Sequence, residues 1–398
     1  MESQAVRVVA PLKVLPPLSL YVHVPWCVRK CPYCDFNSHE ARGSIPEDVY
    51  VEALARDLEQ AVPLVWGRRV RTVFFGGGTP SLLSVQAVDR ILTTIRTLLP
   101  LDSDAEITLE ANPGTAEAEK FRGFRDAGVN RLSLGIQSFD DRYLTALGRI
   151  HNVAEARRAI DLARNNFDNI NLDVMYALPQ QSLADAQREI RTAIACAPNH
   201  ISAYHLTLEP NTKFYLSPPE LPDEEVAADM QLMIESELAS AGYVQYETSA
   251  FARAGARCRH NTNYWNFGDY LGIGAGSHGK LSFSEGIMRQ MRYKQPKAYI
   301  EQALAGSSVQ TEGQVTNDNL PFEFMMNALR LVDGVPAALF EERTGVLLRA
   351  VEPQLVEAEK RGLLHRDHLV LRPTDLGRRY LNDLLQIFLP DPGEQETA

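Results

Sequence analysis

From residue 18 onward, short apolar runs of strand length alternate with segments of helical periodicity. The runs are LSLYVHV (18–24), VRTVFFGG (70–77), AEITLEAN (105–112), VNRLSLGIQS (129–138), INLDVMYALP (170–179) and HISAYHLTLEP (200–210). Several are apolar at successive rather than alternate positions, as strands covered on both faces are. The intervening segments EDVYVEALARDLEQAV, VQAVDRILTTIRTLL, AEAEKFRGFRDAG, AEARRAIDLARNN and LADAQREIRTAIACA carry helical spacing. Strand–helix alternation of this kind calls for a parallel sheet. The pattern predicts an α/β fold, a partial (β/α) TIM-type barrel of about six parallel strands, with a further strand at YVQYETSAF (243–251). A doubly wound open sheet is the competing arrangement.

The pattern weakens at both ends. Residues 1–17 hold three prolines and read as a loose leader before a barrel spanning 18–251. Residues 252–315, rich in Gly, Arg and aromatics, read as a bridging segment. From 316 to 389 the helical segments LPFEFMMNALRLVDG and LLRAVEPQLVEAEKRG precede a hairpin, LLHRDHLVLRPTDLG, and a last helix, RRYLNDLLQIFL. That order predicts a small winged-helix-like domain. Residues 390–398 read as a tail.

Polar and glycine residues collect where the strand runs end. Cys27 follows the first run and Gly76–Thr79 end the second. Glu110 and Asn112 end the third, Gln137 ends the fourth, and Asp173 lies within the fifth. In a barrel these C-terminal strand ends share one mouth, where active sites form.

Charge and cysteine usage narrow the chemistry. A formal net charge of −11 argues against broad binding to nucleic acid. No apolar run is long enough to span a bilayer, and the first residues lack the core of a signal peptide, so a cytoplasmic location is expected. Of five cysteines, Cys27, Cys31 and Cys34 cluster, while Cys196 and Cys258 stand apart. An odd, clustered set suits metal binding in a reducing compartment better than disulfides.

The clustered segment is VPWCVRKCPYCDFNSH, with spacing C-x3-C-x2-C. Three thiolates can hold three corners of a [4Fe–4S] cube and leave the fourth iron open. Pro25 and Pro32 keep the segment from forming one regular helix. A structural zinc site, with His23, Asp35 or His39 as fourth ligand, is the plainer alternative, and unligated thiols are another. Glu110, Gln137, Arg149 and Asp173 are by themselves equally compatible with strand-end solvation or satisfied core polarity.

With an aromatic, Tyr33, before its third cysteine, this loop resembles the signature of the radical S-adenosylmethionine enzymes. The resemblance implies a [4Fe–4S] cluster on Cys27, Cys31 and Cys34, with S-adenosylmethionine on the open iron. The segment Gly76 to Pro80 is similar to that family's GGGTP strand end. Tyr21, Gly77, Gly78, Thr79, Glu110, Gln137, Arg149 and Asp173 match, in type and order, the cofactor contacts of the oxygen-independent coproporphyrinogen III oxidase subgroup, which is described with two S-adenosylmethionine molecules.

One departure redirects the resemblance. The dehydrogenase loop has a further cysteine two positions after its third, where this chain has Phe36. CPYCDFNSH, YETSAFA (246–252), RHNTNYWNFGDYLGIGAGSHG (259–279) and PFEFMMNALRL (321–331) instead resemble the HemW heme chaperone family. There HNxxYW, here His260, Asn261, Tyr264 and Trp265, is associated with heme. An imidazole can ligate heme iron and aromatic rings can face a porphyrin, although a packed aromatic pair with a hydrogen-bonded His fits the same residues. Cys258 and His278 are nearby alternatives for iron, and Cys196 is expected to be an inert core thiol.

The expected function is therefore a heme chaperone that passes heme to an acceptor protein, with a reductant such as flavodoxin implied. Radical decarboxylation of coproporphyrinogen III and radical methyl transfer are the alternatives. Oligomeric state stays open, a homodimer included.

Overall fold

The computed structural model describes residues 11–114 and 118–390. The first ten residues of the expected leader, the tail from 391, and the start of the expected helix at 116 lie outside the described residues.

The main sheet has twelve strands. Its barrel strands are β1 (Leu18–Val24), β2 (Val70–Gly77), β3 (Leu101–Ala111), β4 (Arg131–Gln137), β5 (Ile170–Tyr176), β6 (His200–His205) and β7 (Asp269–Ile273). They lie parallel in the order β7-β1-β2-β3-β4-β5-β6. Strands buried on both faces explain the unbroken apolar runs: in β1 only Tyr21 is not fully buried. Helices cover the outer face, and their starts are chemically marked. Asn152 with Glu155, and Ser182 with Asp185, form capping boxes at Val153–Asn166 and Leu183–Ala195. The partial barrel expected from the pattern is thus the observed architecture.

Two details differ from the expectation. Residues 243–251 do not supply the seventh parallel strand. They split between Val244–Glu247 and Ala250–Ala252, and the latter pairs antiparallel with β6. The seventh parallel strand comes instead from the expected bridging segment, where β7 pairs with β1 and places Tyr21 opposite Gly272. From β7 the sheet continues antiparallel through β8 (His278–Phe283), β9 (Gly286–Arg292) and β10 (Val309–Gln314). Periodicity hid β7 because it opens on a buried charge. The Asp269 carboxylate accepts from Lys280 Nζ at 3.0 Å and Ser282 Oγ at 2.7 Å, and pairs with Arg68 at 2.8 Å.

The C-terminal part has its own core around Phe324, Phe340, Leu355 and Leu371, joined by Phe267 and Ile287. The expected hairpin forms between Leu364–Arg366 and Val370–Pro373, with Val335–Pro336 as a third short strand.

A buried anion fastens the late strands to the barrel. Asp57, on the helix Glu47–Ala61, accepts from Arg292 Nε (3.0 Å), Ser308 Oγ (2.7 Å), Tyr299 OH (2.9 Å) and the Gly274 amide (3.2 Å). Arg292 and Asp57 are both buried. Removing the carboxylate strands a guanidinium in the core, which costs more than the pair contributes. Asp57→Ala is expected to lower the unfolding free energy by about 3–5 kcal/mol, measured by urea denaturation.

Candidate functional site

The cysteine segment runs between β1 and a short strand, His39–Glu40, that pairs with Trp26–Cys27. Its few local bonds include Cys34 N to Cys31 O, 3.2 Å. Neighbours hold the rest. The Gly78 amide donates to Val24 O (2.7 Å) and the Thr79 amide to Trp26 O (2.8 Å). A Cβ on Gly78 would stand 2.5 Å from Trp26 O, so only glycine permits this approach.

Cys27, Cys31 and Cys34 are half-buried free thiols lining one cavity of about 400 Å³ at the barrel mouth. Tyr33, Gly77, Gly78, Thr79, Glu110, Gln137, Arg149, Asp173 and Asn261 line it too. A chain of side chains joins two of the sulfurs around the wall. Thr79 Oγ1 donates to Cys27 Sγ (3.5 Å), and Asn112 Nδ2 donates to Thr79 Oγ1 (3.0 Å). Arg149 Nη2 donates to Asn112 Oδ1 (2.6 Å), and Arg149 Nη1 to Cys31 Sγ (3.6 Å). Asn112, the centre of this chain, was not among the expected site residues. Its position at a strand end was the only signal it gave.

Gln137 holds a left-handed backbone, φ 67°, where the β4–β5 register shifts. Such a conformation in a non-glycine residue is strained and collects at functional sites. Tyr33 packs against Phe214 with ring centroids 6.4 Å apart.

The far wall is acidic. Withdrawal from water, then repulsion from Asp173, raises the Glu110 carboxyl to about 8. Burial also raises Asp173, against the hydrogen bonds from Asn171 (2.8 Å) and Ser133 (3.1 Å). Two carboxyls so placed are a receptor for a cation. Arg131 Nε and Arg149 Nε are buried without a hydrogen-bond partner among the described residues.

Tyr21 is placed elsewhere. It lines a second cavity of about 390 Å³ with Tyr264, Trp265, Tyr270 and His278. Phe36, Gly77 and Glu110 line both cavities and so form the partition between them. The HNxxYW segment is the short helix Arg259–Trp265. It sends Asn261 to the cysteine cavity, and Tyr264 and Trp265 to the aromatic one. His260 lines neither. Its Nδ1 is bonded to Thr72 Oγ1 and its Nε2 to Tyr264 OH, both at 2.8 Å, and burial lowers its imidazole to about 3.

Residues 21–193 match the family model for the radical SAM superfamily, and 315–380 match that for the HemN C-terminal domain. The heme chaperone HemW of Escherichia coli is 48% identical over 379 residues, covering 95% of this chain and 99% of that protein. This chain belongs to the HemW family. HemW of Bacillus subtilis is 35% identical across 93% of this chain and 99% of its own length. The mitochondrial radical S-adenosyl methionine domain-containing protein 1 of Bos taurus is 35% identical, covering 92% of this chain and 86% of its own. The solved E. coli coproporphyrinogen III oxidase, HemN, superposes with a TM-score of 0.80 at 23% identity, covering 94% of this chain and 90% of that one, which shows the shared fold. Membership in a radical SAM family implies a [4Fe–4S] cluster and S-adenosylmethionine. The residues fit both groups: soft sulfur donors on one loop suit iron, and the acid pair opposite suits a cationic ligand.

The Glu110 value has a consequence for stability. Its carboxyl rises from an ordinary 4.5 to about 8 on folding, so between those values the folded state holds a proton the unfolded state has released. Stability therefore falls as pH rises through that window. Glu110→Gln is expected to flatten the pH dependence of urea unfolding without added ligand: little change near pH 4.5, greatest stabilisation above pH 8.

Proposed function

We propose that the chain is a heme chaperone that holds heme and passes it to an acceptor protein, using a [4Fe–4S] cluster bound by Cys27, Cys31 and Cys34 and S-adenosylmethionine. The observation that carries this reading is the 48% identity, nearly end to end, with a protein named for that activity. Two adjoining cavities give it a physical basis: one carries the thiols, the other is lined by aromatic rings, and both meet at Phe36 and Glu110.

Each side chain has a task. Arg149 and Thr79 direct N–H and O–H donors at the sulfurs of Cys31 and Cys27, the atoms that would hold iron, and so fix where those sulfurs stand. Gly77 and Gly78 leave the wall free of side chains, and their amides hold Glu110 Oε2 (3.3 Å) and Val24 O (2.7 Å) in place beside the cavity. Glu110 and Asp173 would hold the positively charged sulfonium cofactor, and Gln137 and Asn261 would offer amides to its polar groups. When bound, the reduced cluster supplies the electron that cleaves S-adenosylmethionine. Tyr264 and Trp265 wall the heme side, and His260 braces Tyr264 from behind.

The reading extends to a cytoplasmic location, a flavodoxin-like electron donor and a homodimer. No helix among the described residues is long and apolar enough to cross a membrane.

Cys31→Ala is expected to remove the brown charge-transfer absorbance and most of the iron from anaerobically prepared protein. A colourless, zinc-loaded unsubstituted protein would defeat the cluster assignment. For function, anaerobic reconstituted chain loaded with hemin is expected to transfer it to a heme-free acceptor on mixing, followed by the acceptor's Soret band. The same preparation is expected to leave coproporphyrinogen III unchanged with S-adenosylmethionine and reductant. Protoporphyrinogen formation would move the assignment to the dehydrogenase.

A further inference from the structure

Heme is a flat, largely apolar disc whose iron takes a donor atom along its axis. The aromatic cavity offers Phe36, Tyr264, Trp265 and Tyr270 as walls. Phe36 is 59% exposed, a large apolar side chain left uncovered at the cavity edge. Tyr264 and Tyr270 meet edge to face with centroids 4.5 Å apart, so one side of the space is rigid.

The donors near this space can be sorted by what already occupies them. His23 lines the cavity, but its Nδ1 is bonded to Tyr21 OH (3.1 Å) and its Nε2 to Asn37 O (2.9 Å). His260 has both ring nitrogens engaged and lines neither cavity. Cys258 is buried, with its Sγ directed at Glu106 Oε1 (3.6 Å), and also lines neither. His278 differs on every count. It is an exposed residue in the cavity lining, and among the described residues nothing hydrogen-bonds its ring.

The fold fixes where that ring stands. His278 is the first residue of β8, paired with Met291 of β9, and the residues that follow it are buried. The turn before it is strapped to the cysteine loop, because Asn37 Nδ2 donates to Ala275 O at 2.9 Å. A ligand on a strand end, braced by its neighbours, holds its geometry better than one on a free loop.

We propose that His278 ligates the iron of heme seated in the aromatic cavity, with Phe36 and Trp265 bounding the porphyrin. This rests on the heme-chaperone reading above. It assigns the HNxxYW helix the cavity wall, and gives the iron to a residue eighteen positions further on than His260.

The test titrates hemin into the full-length, anaerobically prepared chain and follows the Soret and visible bands. His278→Ala is expected to lose the imidazole-type spectrum and to bind hemin at least about tenfold more weakly, with cluster absorbance and iron content unchanged. Added free imidazole is expected to restore the original bands. His278→Cys is expected to shift them to a thiolate-type spectrum. Unaltered spectrum and affinity in His278→Ala would overturn the assignment while leaving the chaperone reading standing. Failure of the unsubstituted chain to take up hemin would remove both.

Discussion

The cysteine segment cannot hold its own shape, and the rest of the structure is arranged around that constraint. Between Pro25 and His39 the chain has two prolines and too few internal bonds to fix three sulfur positions. Support comes from four directions. Gly78 and Thr79 bond its start, Phe214 N donates to Pro32 O (3.0 Å) at its middle, and Asn37 anchors its end on Ala275 and Lys294. Lys30 Nζ reaches across to Phe36 O (3.0 Å). Apart from the Lys30 bond, which is internal to the segment, the supports come from distant parts of the sequence, so the loop takes its full shape once the barrel has closed around it.

This explains why β7 belongs to the barrel rather than to a linker. Pairing β7 with β1 brings the turn at Gly274–Ser277 against Asn37, and the Asp57 network fixes that turn from behind through the Gly274 amide. Gly274, at φ +101° and with a Cβ position 2.4 Å from His23 O, allows the approach. A barrel ending at β6 would leave one side of the cysteine loop unsupported and the Tyr270–Arg289 side of the aromatic cavity unwalled.

How much of this was legible in the sequence follows from the same physics. Strands β1 to β6 were visible because burial on both faces leaves continuous apolar runs, and helices were visible by their period and caps. The thiol trio was visible because chemistry of that kind needs particular residues at particular spacing. Strand β7 was not, because its apolar content is short and Asp269 opens it; nothing local says that Lys280 and Arg68 neutralise that charge. Asn112 was legible only as a polar strand end at the barrel mouth, since its role exists in the bonds it makes to Thr79 and Arg149, far apart in sequence. The His260 motif left two readings open in the sequence, an iron ligand or a hydrogen-bonded His among packed aromatics. A residue type suited to iron stood out, but only the fold shows both ring nitrogens already committed.

The partition between the cavities carries the last step. Phe36 and Glu110 each line both spaces, so a ligand in one would contact residues that also wall the other. Burial and the neighbouring Asp173 hold the Glu110 carboxyl above its ordinary range, so its charge is sensitive to what stands beside it. Phe36, a bulky and largely exposed ring, stands between the two spaces. Coupling of this sort requires that each ligand interact differently with the two states of the shared residue. In a chaperone that must hold its cargo and then release it, the residues shared by the two cavities are where cofactor and cargo would stand nearest to one another.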